Sequence, residues 1–492
     1  TAYDCTASVP DVTADRTVTI PDQTGTAMLW QSAWPDDLGT DNIAIGNSAL
    51  SAATSDAQQN TAVGDNAALA LTTANYCTAI GYNAMRDNTT DNNTTAVGYH
   101  SGGGDLLTGG TYLGYSAGDI SDSSKDYQVA VGHSAMNDCT GDNAVAVGAY
   151  SMSDGNHYNS VAIGYDALGN SSTSNAYYNV AVGFGAGSGV GTVDLTIAIG
   201  YDAEALQSYS IAIGGYARST GNQGVSVGYQ AGMSHSSTYS SDYCTLVGYQ
   251  AGYDMDGGDY CTFVGWRAGY AGGTGISNTG VGINSLKALS SGGQNTGCGR
   301  SSLQLLSSGS NNTAVGSAAG YSQTTSSNNT FVGKDAAYNV TTGSNLTVLG
   351  YDADPSSNTA TNEVTLGNSS VSTLRCNVQT ISSLSDERDK TAIEDLSYGL
   401  DFINDMRPVQ FTWNRRDGSL GATPDMGFIA QDLYDVELEH SSTSRTRLVK
   451  WENPEKLEAD YVRSYPILVK AVQELSAKVD ALSARVKELE GS

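Results

Sequence analysis

A glycine returns along most of this chain with fixed neighbours around it. It falls at Gly46, Gly64, Gly81 and onward to Gly367, twenty copies in all, and from Gly248 to Gly367 every interval is 17 residues. One position before it stands Val, Ile or Leu in every copy except Cys298. Three before it is always Thr, Val or Ile, and three after it is always Ala or Ser, as in Ala49 and Ser302. β-Branched residues two apart share one face of a short strand. The glycine permits a corner that a side chain would block, and the small residue lets the chain pass close to a neighbour. Each repeat is therefore read as one coil of a solenoid. A single coil cannot bury its apolar side alone, so the coils must stack. With strands ~4.8 Å apart, twenty coils predict a rod of roughly 95 Å.

Composition agrees with a repetitive β architecture: 15% of the 492 residues are charged and 58 are glycine, which does not suit an ordinary enzyme. Residues 1–384 hold 9 Lys/Arg against 30 Asp/Glu, and residues 385–492 hold 14 against 21. A field of that sign repels nucleic-acid phosphates and anionic membranes, so nucleic-acid binding is excluded. No apolar run approaches the ~18–20 residues that span a bilayer, so no membrane insertion is expected. The N-terminus shows no signal-peptide h-region, and without an initiator Met the sequence reads as a piece of a longer or processed protein.

Four segments follow from these patterns. Residues 1–41 hold a β-branched strand and a Pro/Gly turn, Arg16 to Thr26, then Trp30, Trp34 and Pro35, which are placed to cap an open sheet edge. The array covers 42–370, and 371–384 reads as a short β-rich connector. From Ser385 the charge and the helix formers rise. Asp401 to Met406 is expected to be helical, Pro408 to end it, Val409 to Trp413 to form a strand, and Met426 to Gln431 a second strand or turn. Leu468, Val472, Leu475, Val479, Leu482, Val486 and Leu489 step by 4 and 3, which sets Val at a and Leu at d of a coiled coil over 467–490. That pattern alone leans toward two strands; attached to a trimeric fibre, a three-helix bundle is expected.

Three stretches resemble known families. Arg16 to Thr26 resembles a motif of phage tail-fibre shafts. Asn60-Thr61-Ala62-Val63-Gly64-Asp65-Asn66-Ala67 is similar to the coils in the β-roll heads of trimeric autotransporter adhesins and to arrays in phage tail fibres. That likeness implies a parallel homotrimer, with either strand face available to the partner chains. Ser385-Asp386-Glu387-Arg388-Asp389-Lys390, with Gly399 to Phe402, Arg407-Pro408-Val409, Phe411, Trp413, Gly427 to Gln431 and Tyr465 to Val469, resembles the intramolecular chaperone domain. This domain ends phage tailspikes and tail fibres, including endosialidases, and has relatives in the myelin regulatory factor family.

The last resemblance implies that residues 385–492 drive trimerisation and then release themselves. Ser385 would attack the carbonyl of Leu384, with Lys390 as its base and water hydrolysing the resulting ester. The cut falls between Leu384 and Ser385, so the chain acts at most as a single-turnover self-cleaving serine peptidase with no activity in trans. A lysine base needs a neutral amine, which burial on assembly favours. Residues five apart on a helix lie ~140° from one another, so the pair requires Ser385 outside a helix or Lys390 brought round in a turn. The competing reading makes Ser385 a helix N-cap with Asp386 and Glu387 in the first turn.

The residue after the repeat glycine is aromatic at Tyr82, Tyr99, Tyr115, Tyr165, Tyr201, Tyr229, Tyr249, Trp266 and Tyr351, with Phe184 in the same phase. Such a row offers flat surfaces to sugar rings; stacking at the coil corner or in a trimer seam is the favoured alternative. Cys77, Cys244 and Cys261 share one phase, four before the glycine; Cys244 and Cys261, one repeat apart, could be bridged, and a ladder of buried reduced thiols is the favoured reading. No zinc pattern is present. The five histidines read as surface or coil residues, and Asp166, Asp202 and Asp352 as a solvated row, so no metal and no cofactor is expected. Irregular intervals between 164 and 248, around Gly183 to Gly189 and Ser234 to Tyr239, read as drift in loop length.

The sequence thus predicts a mainly β, trimeric parallel β-solenoid with a small α+β chaperone domain. The expected role is a phage tail fibre that meets a host-surface glycan or protein receptor. It would join other virion tail proteins through its N-terminal end, and it would be assembled in the host cytoplasm and carried on the virion tail. A polysaccharide-degrading tailspike is the alternative, though the regular coils show no insertion that would fix two carboxylates in a groove. A bacterial autotransporter head would require a membrane barrel after the coiled coil.

Overall fold

The computed structural model describes residues 41–104, 107–119, 125–169, 175–188, 191, 193–233, 241–377, 385–414, 421–440, 447–450 and 457–491. Residues 1–40, Ser234 to Tyr239, and the second half of the connector, 378–384 with Leu384, lie outside them. The chain divides into two units, Thr1–Asn295 and Thr296–Ser492.

In the first unit fifteen three-residue strands among the described residues, from Ile43–Ile45 to Thr279–Val281, carry the repeat. Within the unit, each of the first fourteen pairs in parallel with the same strand of the next repeat. Thr61 lies opposite Thr78, Ala62 opposite Ala79 and Val63 opposite Ile80. The second unit begins with five strands of the same kind, Thr296–Cys298 to Glu363–Leu366, paired in the same register. This is a mainly β parallel solenoid, and its in-register pairing stacks like on like in columns.

The strand faces are now distinguished. The residue two before the glycine points inward and is buried along the array, as at Ala62, Ala79, Tyr112 and Phe331, with Ala44 and Thr365 in the end strands only partly covered. The residues three and one before it face outward, with Ile43 at 52%, Leu113 at 47% and Ile163 at 43% exposed. At the corner, Gly64 has φ +133°, and a methyl there would lie 2.4 Å from the carbonyl oxygen of Gly81 in the next coil. Only glycine suits both the conformation and the approach.

Inside the coils two positions trade volume. Where the inward strand residue is Ala or Gly, the position four after the glycine is commonly long: Met85 beside Ala79, Met136 beside Ala130, Leu286 beside Gly280, all buried. Where it is large, that position is small: glycine at Gly118, Gly252 and Gly269 after Tyr112, Leu246 and Phe263, and alanine at Ala337 after Phe331. A methyl on Gly118 would lie 2.1 Å from the Tyr112 ring, and one on Gly252 2.7 Å from Leu246. Close packing demands such compensation, because an interior tolerates neither a void nor an overlap.

A buried asparagine ladder satisfies the turns. Asn60 donates Nδ2–H to Ala74 O at 2.8 Å and accepts the Cys77 N–H at 2.9 Å, while Asn312 donates to Ser326 O and accepts from Asn329 N. Cys244 and Cys261 occupy the same phase as free thiols. Their S–H groups reach Gly258 O at 3.0 Å and Gly275 O at 3.3 Å, and Cys244 Sγ accepts the Cys261 N–H at 3.4 Å. A thiol, both weak donor and weak acceptor, stands in for the amide.

The C-terminal region folds around Phe402, Met406, Leu433, Val436, Leu448, Val449 and Ile467. Helix α1 (Leu400–Asp405) packs on α3 (Ser464–Glu490), and Glu474 accepts the otherwise orphaned N–H of Leu400 at 2.8 Å. Val409–Asn414 and Gly421–Gly427 form an antiparallel hairpin. The second strand therefore starts before the stretch expected for it, and Ala430 and Gln431 open α2 (Ala430–His440), a helix the apolar run Gly427 to Ala430 concealed. The described part of the connector, 371–377, carries no strand, against expectation. Its polar residues and its full exposure leave it no ladder partner.

Candidate functional site

Ser385 and Lys390 meet. Asp386 caps a single 3₁₀ turn, Glu387–Asp389, by accepting the Arg388 N–H at 2.9 Å. Lys390 then leaves the turn in an extended conformation, φ −121°, ψ 146°. This path resolves the 140° separation that a regular helix would impose, since the lysine is turned back over the residue before the cap. Its Nζ donates to Ser385 Oγ at 2.7 Å and to Ser385 O at 3.2 Å. The N-cap is thus Asp386, and Ser385 lies just outside the turn.

One acidic neighbour of the pair, Asp386, is engaged elsewhere. Arg388 holds Asp386 through Nε at 3.0 Å and through a terminal nitrogen at 2.6 Å. Those bonds keep the carboxyl of Asp386 below its usual range. All six residues from Ser385 to Lys390 are exposed in the single chain. Chemically the arrangement offers a hydroxyl, an amine in line to take its proton, and a turn that fixes the two. A general base must stand within hydrogen-bond reach of the proton it removes.

The aromatic residues after the repeat glycine form a continuous ladder. Tyr82, Tyr99 and Tyr115 stack with centroids 5.3 and 5.1 Å apart, and Tyr165, Phe184 and Tyr201 at 5.1 and 5.3 Å. Tyr229 stacks on Tyr249 at 5.6 Å, and Tyr249 on Trp266 at 6.3 Å. Within these runs ring face meets ring face, so what the row presents outward is ring edges and phenol hydroxyls. His133 takes a place in it, 4.9 Å from Tyr115. Where the position holds Ala149 or Gly215, the next residue, Tyr150 or Tyr216, turns in edge-on against Tyr165 and Tyr201. His133, Tyr150 and Tyr216 escaped the reading of the repeat, which followed a single phase and only Tyr, Phe and Trp within it. Tyr351 lies in the second unit with Lys334 5.1 Å from its ring.

Two expectations are corrected. His157 is neither surface nor coil: it sits in the strand Asp154–Tyr158 at 2% exposure, where burial lowers its pKa to about 4. Asp166 is not simply solvated. Partial burial, then the charges of Asp154 and Asp202, raise its pKa. Among the described residues no group of three or more His, Cys, Asp or Glu is placed to hold a metal ion, and no helix is long and apolar enough to cross a membrane.

No curated protein matches the chain. Residues 385–441, which begin at Ser385 and end just after α2, match the family model described as chaperone of endosialidase, so the chain joins a C-terminal region of that kind to a β-solenoid body.

Proposed function

We propose that this chain is the subunit of a homotrimeric fibre of the tail-fibre or tailspike kind. Its solenoid meets a host surface, and its C-terminal region drives assembly and then cuts itself free between Leu384 and Ser385. The observation that carries the cut is the 2.7 Å hydrogen bond from Lys390 Nζ to Ser385 Oγ at the first residue of the family match. In the reaction Ser385 Oγ bonds to the carbonyl carbon of Leu384 as the C–N bond to Ser385 breaks. Lys390 takes the hydroxyl proton and returns it to the departing amine, and water then hydrolyses the ester. In the single chain the dyad lies in solvent, so assembly that covers it is the step that frees the amine of its proton. Cutting is thereby tied to a completed trimer.

Two faces of the single chain support self-association. The outward β-branched columns of the array are apolar and exposed, and so is the heptad stripe of α3, with Val472 at 58% and Leu482 at 66%. Exposed apolar surface of this extent marks an interaction face.

Intact-mass measurement after expression tests the cut. The wild type is expected as two pieces, one ending at Leu384 and one starting at Ser385, with Ser385→Ala and Lys390→Ala intact. A wild-type trimer that stays whole removes the proteolysis and leaves assembly standing. Sedimentation of the chain lacking 385–492 tests assembly, and soluble trimers of that truncation refute it. A panel of host glycans and surface proteins tests recognition.

A further inference from the structure

Cations are scarce in the array, and three of them are neutralised in place. Arg86 lies 2.6 Å from Asp87, Arg218 2.9 Å from Glu204 and Lys334 2.6 Å from Asp335. Arg267 is held in another way. Its guanidinium lies 4.6 Å from the centroid of Trp266 and 5.2 Å from that of Tyr270. Its Nε donates to Gln250 Oε1 at 2.8 Å, and Gln250 donates in turn to Gln230 Oε1 at 2.8 Å. Two rings and a glutamine ladder thus fix the plane of the guanidinium without using its terminal edge. That edge, with its two parallel N–H groups, matches the geometry of a carboxylate.

The surroundings extend this into a site. Trp266 is 42% exposed and ends the ring ladder, because the same position in the next coil is Ile283. Tyr270 stacks on Tyr253 with centroids 5.0 Å apart. Ala271 N–H donates to Lys287 O at 3.0 Å, so Lys287 follows Tyr270 in the next coil and brings a second cation to the neighbourhood. An exposed indole edge beside a clamped guanidinium is suited to a sugar ring that bears an acid group: apolar C–H groups pack against the exposed part of the indole, and the carboxylate lies on the fork.

We propose that Trp266, Arg267 and Tyr270, with Lys287, form a subsite for a sugar residue carrying one carboxylate, a hexuronate or an acidic sugar of similar shape. This deepens the reading of the array as a surface-recognition fibre and rests on it. The excess of acid in residues 1–384, 30 Asp/Glu against 9 Lys/Arg, repels polyanions at a distance. The subsite therefore takes isolated acidic residues set in an otherwise neutral glycan.

The test titrates the full chain with an oligosaccharide containing one hexuronate and with its carboxyl-reduced counterpart, in which –CH₂OH replaces –COO⁻. Calorimetry and tryptophan fluorescence supply the readouts. The acidic form is expected to bind about tenfold tighter or more, the loss typical of a charge-assisted hydrogen bond left unmade. Arg267→Gln should lower its affinity to that of the reduced form, and Arg267→Lys, which keeps the charge and loses the fork, should fall between. Equal affinity of the wild type for the two forms overturns the proposal without need of a variant, and so does acid binding that survives Arg267→Gln. Binding of neutral glycans alone overturns this subsite and leaves host recognition in place. Failure of every glycan and every surface protein in the panel removes both.

Discussion

Gly269 stands where any side chain would collide with Phe263: a methyl there would lie 2.3 Å from the phenyl ring. Gly269 also holds φ +58°, so its substitution strains the backbone as well as the packing. Gly269→Ala is expected to destabilise the array by about 2–4 kcal/mol, summing overpacking and left-handed strain. Adding Phe263→Leu to it should recover part of the loss. Thermal unfolding of the single and double variants measures the coupling, and strict additivity would show that the two positions do not share one volume.

The asparagine ladder predicts an unequal response to two small substitutions. Asn312→Ala leaves Ser326 O and Asn329 N without their buried partner, a cost of about 1–3 kcal/mol for each group. Asn312→Cys should cost clearly less, because Cys244 already fills that role in its own coil. Denaturant midpoints of the two variants decide it.

His157 gives the array an acid limit. Its folded pKa of about 4 lies below the unfolded value of ~6.5. Between those values the unfolded chain binds a proton that the folded chain refuses, so stability is full above about pH 6.5 and falls as the pH drops toward 4. The shift corresponds to about 3 kcal/mol per chain. His157→Gln should flatten this part of the stability curve relative to the wild type, as followed by unfolding between pH 4 and pH 7.

In the proposed cut, Arg388 serves as a positioning residue. Once freed by Arg388→Gln, the Asp386 carboxylate is available to the ammonium of Lys390 and favours its charged form. Cutting should then require a higher pH, and Asp386→Asn in the same chain should restore the wild-type profile. A pH series of cleavage rates reads the shift. A slower rate with an unmoved profile would mean that Arg388 serves the turn alone.

The solenoid was legible because its determinants are local and repeat: the glycine corner, the β-branched pair and the small residue each recur in every coil. The exchange of volume between the inward strand residue and the residue four after the glycine was not, since it joins two positions that vary together and neither is constant alone. The same cause hid Tyr150 and Tyr216, whose places in the ring ladder depend on what their neighbours lack, while His133 holds the phase itself but is an imidazole, outside the residue types followed. In the C-terminal region the dyad was drawn from resemblance. The turn that brings Lys390 back to Ser385 depends on Asp386 as cap, a role the sequence offered equally to Ser385. Helix α2 was missed because its apolar residues face one small core and its exposed side is acidic, which leaves a weak period.

The asparagine ladder also bears on how such a chain finds its structure. Asn60 bonds Ala74 and Cys77, Asn312 bonds Ser326 and Asn329, and each partner is 14 or 17 residues away. A coil asks nothing of the chain beyond its immediate neighbours, so folding advances by adding one turn of polypeptide to a finished edge, as a crystal grows on its own face. The slow event is the first edge. Under the proposed assembly role, a C-terminal region that supplies one ordered start has done its work before most of the coils exist, and it is dispensable once they do.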